Sequence, residues 1–159
     1  THETTKMCIN AIEKYIKSED ILIDIGCGSG ILSIAGAILG AKKVIAVDLD
    51  KLAVKISKEN VELNNYQDII EVRHGNLTDV ITEKTDIIVA NIIADAIVML
   101  SENIKDFMKE DAYFISSGII NEKVDYVKEN LIKNGFEIIE HNNDKEWNCI
   151  VAKVNKTDV

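Results

Sequence analysis

The chain has 159 residues, 47% of them hydrophobic and 28% charged, with a formal net charge of −9; that is the size of one ordinary domain with enough apolar material for a core. No apolar run reaches the roughly 18 residues that a membrane span needs, and the opening THETTKMC has no apolar stretch of the secretory kind. The acidic balance disfavours a nucleic-acid partner, which selects for a basic face, and favours a cationic one.

In chain order, residues 5–17 read as a helix with Thr4 or Thr5 as its N-cap. ILIDI (21–25) reads as a strand, and GILSIAGAIL (30–39) as a helix apolar all round that Gly40 ends. KVIAV (43–47) is a β-branched strand; Asp50 then caps a helix with apolar residues at 52, 53 and 56, stopped by Asn64-Asn65. IIEVR (69–73) and DIIVA (86–90) are strands, followed by a helix carrying the stripe Ile97, Leu100, Ile104, Phe107 and Met108. AYFIS (112–116) is a strand, and Asn121 caps a helix with Val124, Val127 and Leu131 on one face and Gly135 at its end. FEIIE (136–140) and WNCIVAKV (147–154) are strands joined by the polar turn NNDK, which makes them an antiparallel hairpin. With no proline, repeat or linker, residues 1–159 read as one α/β domain: a doubly wound, mostly parallel seven-stranded sheet with one antiparallel strand near an edge.

The segment DIGCGSG (24–30) follows the first strand and opens the first helix after it. At the carboxyl end of a strand in such a sheet, bare backbone marks a ligand crevice. The spacing is GxGxG; a dinucleotide fingerprint puts its third glycine where Ile31 stands, and a phosphate loop needs GKS or GKT, which is absent. Asp48, 22 residues beyond Gly26, ends the second strand, where an acid accepts both hydroxyls of a ribose. Asp50 reads as a helix cap. Asn76, after the third strand, reads either as a turn residue or as a side-chain acceptor at the ligand crevice. Asn91, at the end of the fourth strand in ANIIA, reads as a cap of the following helix, and that role leaves room for a second one at the strand's end.

Cys8, Cys27 and Cys149 form no CxxC pair; they read as free packing thiols in a reducing, cytoplasmic compartment. His74 and His141 read as packing or solvent residues. No metal site and no Ser/His/Asp or Cys/His group is legible.

The DxGxGxG pattern resembles motif I of the methyltransferases that use S-adenosyl-L-methionine. Together with THETTK, DIGCGSGILSIA, VIAVDLD, VANIIAD and SSGII, it resembles the PrmA family of ribosomal-protein lysine methyltransferases over essentially the whole chain. The resemblance implies a Rossmann-like class I methyltransferase fold, S-adenosyl-L-methionine as cofactor, and protein eleven of the large ribosomal subunit as substrate, methylated on lysine and N-terminal amines. It implies a THETT loop folding over the cofactor, with Thr5 in contact. Asp24 would hold the ammonium end, directly or through water, and Gly26, Cys27, Gly28 and Gly30 would line the site. Asp48 and Leu49 would take the ribose side, Asn76 and Leu77 the adenine side, and Asn91 would stand beside the methyl as the catalytic candidate. The family's separate N-terminal recognition domain is expected to lie outside these residues. Transfer to another protein, a small amine or an RNA base, or a binding module inactive by itself, is the alternative.

Overall fold

Seven apolar runs pair into one sheet in the computed structural model, which describes residues 2–156. The strands are β1 (Ile21–Ile25), β2 (Lys43–Asp48), β3 (Ile70–His74), β4 (Thr85–Asn91), β5 (Met108–Ile120), β6 (Phe136–Asp144) and β7 (Trp147–Val154). Their order is β3-β2-β1-β4-β5-β7-β6, with β7 antiparallel to both of its neighbours and every other pairing parallel. The expected sheet, with its reversed strand one place in from an edge, is the one observed.

Successive side chains of a strand face opposite ways, so strands covered on both sides must be apolar throughout. Leu22, Val44, Ile87 and Val89 pack with α1 (His2–Tyr15), α2 (Ile31–Ile38) and α3 (Lys51–Leu63). Ile23, Ile45, Ile88 and Phe114 pack on the other face with α5 (Ala94–Ser101) and α6 (Val124–Lys133). A single turn, α4 (Leu77–Val80), follows β3. Among the described residues no helix is long and apolar enough to cross a membrane.

Several local expectations are corrected. Helix α1 already begins at His2, so Thr4 and Thr5 lie inside its first turn instead of capping it, and residues 2–5 of the THETT segment form helix, not loop; Thr1 lies outside the described residues. The reason is tertiary: Thr4 is buried against the ends of β4 and β5. The stripe from Ile97 to Met108 is not one helix. It divides into α5, a 3₁₀ turn over Ile104–Phe107, and the start of β5, because helical and 3₁₀ turns bury nearly the same residues and Met108 must pair with Thr85. In α3 the buried face is Val54, Ser57 and Val61, while Leu52 is 61% exposed. Asn121 does not cap α6: it starts a 3₁₀ turn, and its side chain bonds Lys145 O, Asn143 and Asn148. Most of NNDK is strand, and the hairpin turns over 145–146 with Lys145 at φ 57°.

The sheet carries one costly residue. Asp24 sits in the middle of β1, 1% exposed, between β2 and β4. Burial pushes its carboxyl up to about 6, partly offset by the Ser33 hydroxyl, which donates at 2.8 Å, and the Ser33 amide, and reinforced by the Asp48 charge. A folded-state pKa above the unfolded one means that the native state binds the extra proton, so ligand-free stability falls as pH rises between about 4 and 6. Asp24→Asn is therefore expected to match the wild type near pH 4 and exceed it by about 3 kcal/mol above pH 7, read by urea unfolding at the two pH values. A stability difference independent of pH contradicts this account.

Candidate active site

The glycine segment after β1 turns through three left-handed residues, with φ of 70° at Gly26, 55° at Gly28 and 86° at Gly30. Each is bare for its own reason. A Cβ on Gly26 would stand 3.0 Å from Ile92 Cγ2, one on Gly30 would stand 3.3 Å from Ser57 Oγ, and one on Gly28 would meet nothing within 4 Å. The segment is fastened to β2 by consecutive amides: Gly26 N and Cys27 N donate to Val47 O at 2.8 and 3.1 Å, and Gly28 N donates to Asp48 Oδ2 at 3.0 Å. From behind, Ser57 Oγ donates to Gly28 O at 2.6 Å and lies 3.3 Å from Cys27 Sγ. Burial pushes the Cys27 thiol up to about 11, so its side chain is a neutral packing group against α3. Ser57 has no sequence signal; a serine on a helix face that packs against a glycine loop is visible only in three dimensions.

Asp48 closes β2 with both oxygens occupied by backbone, Oδ2 by Gly28 N and Oδ1 by Asp50 N at 2.9 Å. Asp50 caps α3 as expected, accepting from Leu52 N. His74 Nε2 lies 2.9 Å from Leu49 O and fixes that turn. Beyond Gly75, Asn76 caps α4, its side chain accepting from Asp79 N at 3.1 Å. Arg73 holds the next loop by a two-pronged bond to Glu83 at 2.7 and 2.9 Å and a bond to Val80 O.

These ends surround a cavity of about 530 Å³. Of the residues singled out in the sequence, Gly26, Asp48, Leu49, Asn76 and Leu77 border it; Thr5, Asp24, Cys27, Gly28, Gly30 and Asn91 do not. The side chain of Asp24 is directed to Ser33 under the loop, and Gly30 is packed against α3. Ile92 and, from α5, Ala96, Met99 and Leu100 add to the wall; Leu100 reads in sequence only as a core residue, and the other three carry no sequence signal for a site. The cavity lies at the carboxyl ends of β1 to β4, where ligands of such sheets bind. A smaller hollow between Tyr15 and Lys109 lies at the opposite ends of the strands. Among the described residues lining the cavity there is one carboxylate and no Lys, Arg or His. A pyrophosphate would find no cation there. The adenosyl part of S-adenosylmethionine fits: apolar walls for a base and an acid for a ribose diol.

The end of β4 stands beside this cavity. Asn91 pairs in register with Ser117 of β5, and its Nδ2 donates to Thr4 Oγ1 at 3.3 Å. Ser117 Oγ donates to Thr4 O and to Asn148 O, each at 3.4 Å. The start of α1 is thus fastened across the ends of β4 and β5, with Thr4 as the residue that meets Asn91. Asn91 does not cap the next helix, since Ile93 holds that position.

Comparison with known proteins gives this arrangement a family. A family model described as "Ribosomal protein L11 methyltransferase (PrmA)" matches residues 1–155. The ribosomal protein L11 methyltransferases of Alkaliphilus oremlandii and Clostridium botulinum are 55% and 54% identical over 154 residues, 97% of this chain. The chain spans about half (49%) of the length of these relatives. The crystal structure of a ribosomal protein L11 methylase from Lactobacillus delbrueckii subsp. bulgaricus matches at a TM-score of 0.93 and 30% identity, covering 98% of this chain and 80% of that one. The tRNA methyltransferase TrmK of B. subtilis, at a TM-score of 0.77 and 23% identity over 94% of this chain and 66% of its own, shares the fold alone. With its glycine loop, strand-end acid and strand-end asparagine set in the same sheet, the chain belongs to the ribosomal protein L11 methyltransferase (PrmA) family.

Proposed function

We propose that residues 1–159 form the methyl-transferring domain of an S-adenosylmethionine-dependent N-methyltransferase acting in the cytoplasm on amines of ribosomal protein L11, at lysine side chains and the N-terminus. The observation that carries this reading is the pairing of two features across neighbouring strands. A cation-free cavity holds a carboxylate at the end of β2, and an amide side chain held by Thr4 stands at the end of β4. The substrate rests on the names of the similar proteins.

When bound, S-adenosylmethionine would supply an activated methyl on its sulfonium: the amine nitrogen would form a bond to the methyl carbon in line as the C–S bond breaks, its electron pair going to the sulfur of the departing thioether. The chain's own residues position and exclude. Asp48 retains accepting capacity for the ribose hydroxyls beyond its two backbone bonds. The walls of Leu77, Ile92 and Met99 keep water from the base. Asn91, with its nitrogen taken by Thr4, presents Oδ1 as an acceptor for the incoming amine. A neutral amine is already nucleophilic, so alignment and desolvation, not a strong base, carry the rate.

Three outcomes test this. Incubation of the whole protein with S-adenosylmethionine and purified L11 is expected to add mass in steps of one methylene per methyl transferred, and an unmodified L11 would remove the substrate from the proposal. Asp48→Ala is expected to weaken S-adenosylmethionine binding by about 2–3 kcal/mol in calorimetry, the scale of lost charge-assisted hydrogen bonds, and an unchanged affinity would take Asp48 out of the site. Asn91→Ala is expected to lower kcat about a hundredfold or more while cofactor affinity moves less than about threefold; equal losses in both would make it a cofactor-holding residue instead.

A further inference from the structure

Helix α3 packs its inner face, Val54, Ser57 and Val61, onto the sheet. Its outer face is not wholly polar. Leu52, Ile56 and Leu63 are 61%, 38% and 79% exposed. With Glu59 they recur at steps of four, three and four residues, the spacing of a seam along which one helix packs on another. Asn60 Nδ2 donates to Ser29 O at 2.8 Å and so brings the start of α2 alongside, where Ile31 is 53% exposed. Large apolar side chains gathered on one surface mark a contact with another molecule. None of these residues lines the cavity.

The charges on α3 say which molecule. Its first turn holds Lys51 and no acid, and its last holds Glu62 and no base, the reverse of what a helix dipole favours. Lys55 and Lys58 extend the basic half, and Glu59 the acidic one. All five are exposed, and none forms an ion pair among the described residues. A helix basic at its start and acidic at its end is complementary to itself when turned end for end.

We infer that α3 is the contact surface for a second copy of this chain, paired antiparallel about a two-fold axis level with residues 57 and 58. A two-fold contact is reciprocal, so each pair across it occurs twice. Leu52 then meets Leu63 of the partner subunit, and Ile56 meets the methylene stem of the partner's Glu59. Lys55 and Glu62 each precede a seam residue, on the same flank. Lys55 therefore faces the partner's Glu62, and Glu62 faces the partner's Lys55, the kind of flanking pair that sets helix orientation. A parallel pairing would instead set Lys55 against an uncharged Asn60. The inference stands apart from the proposed activity, and its failure leaves that reading untouched.

Sedimentation equilibrium of the whole protein tests it. The wild type is expected to pass from one-copy to two-copy mass between about 1 and 100 µM, the range of a small interface. Lys55→Glu and Glu62→Lys each bring like charges together twice, and each is expected to raise the dissociation constant about tenfold or more. Mixed in equal amounts, the two variants are expected to associate within about threefold of the wild-type constant, because each residue 55 again meets an opposite charge at residue 62. Both positions are exposed, so neither change disturbs the core. A wild type of one-copy mass throughout overturns the inference. So does a dimer that the single substitutions leave intact, or a pair of variants that mixing fails to restore.

Discussion

The bond from the Gly28 amide to the Asp48 carboxylate is the constraint on which the rim of the sheet depends. A run of left-handed glycines has no ladder of its own and loses much conformational freedom on ordering. It stays put because three successive amides reach across to the end of β2, two to Val47 O and one to Asp48. A hydrogen bond to an ionised acceptor is the strong kind, so the third contributes most. The same carboxylate also takes Asp50 N, and Asp50 caps α3, whose Ser57 holds the loop from behind. Loop, strand end and helix form a closed ring of bonds around one acid.

That ring explains which parts of the fold are legible in sequence. The strands are: a parallel sheet covered on both faces needs continuous apolar runs, and ILIDI, KVIAV and DIIVA have few other uses. Asp50 is legible because a cap is a local affair, settled by its own neighbours. Asp48 and Asn76 are legible as cavity residues because a ligand crevice lies at strand ends and strand ends can be counted; Leu49 and Leu77, which also line it, come with the family resemblance alone. The misses share one cause. Ser57 in place of Leu52 on the inner face of α3, Asn121 drawn into the hairpin turn, and Thr4 inside a helix all answer a polar partner on a distant element. Periodicity records which residues are apolar; it holds no record of which remote carbonyl needs a donor.

The wall supplied by α5 illustrates the same limit from the apolar side. Leu100 belongs to a stripe that reads as ordinary core, while Met99, outside that stripe, is largely exposed at the mouth of the cavity. Under the proposed function that wall would close over a flat base, which a methionine suits, since its unbranched chain adapts to irregular shapes. Nothing in the spacing of the stripe separates Leu100, which borders the cavity, from Ile97, which is buried against the sheet.

The cavity and the end of β4 meet at a single residue, Ile92. Its side chain lies against Gly26, its carbonyl faces Gly118, and its amide donates to Ser117 O at 3.2 Å. The proposed methyl transfer would tolerate little error in the line joining donor and acceptor, so the two halves of such a site must not drift independently. Placing both contacts on one peptide of a central strand meets that need more directly than a flexible loop could, because β4 is paired on both sides, with β1 and β5. Bare Cα atoms at residues 26 and 118 are what let neighbouring chains approach Ile92 from opposite directions. A side chain at either position would push the halves apart, which is the physical reason for glycine at two places far apart in sequence.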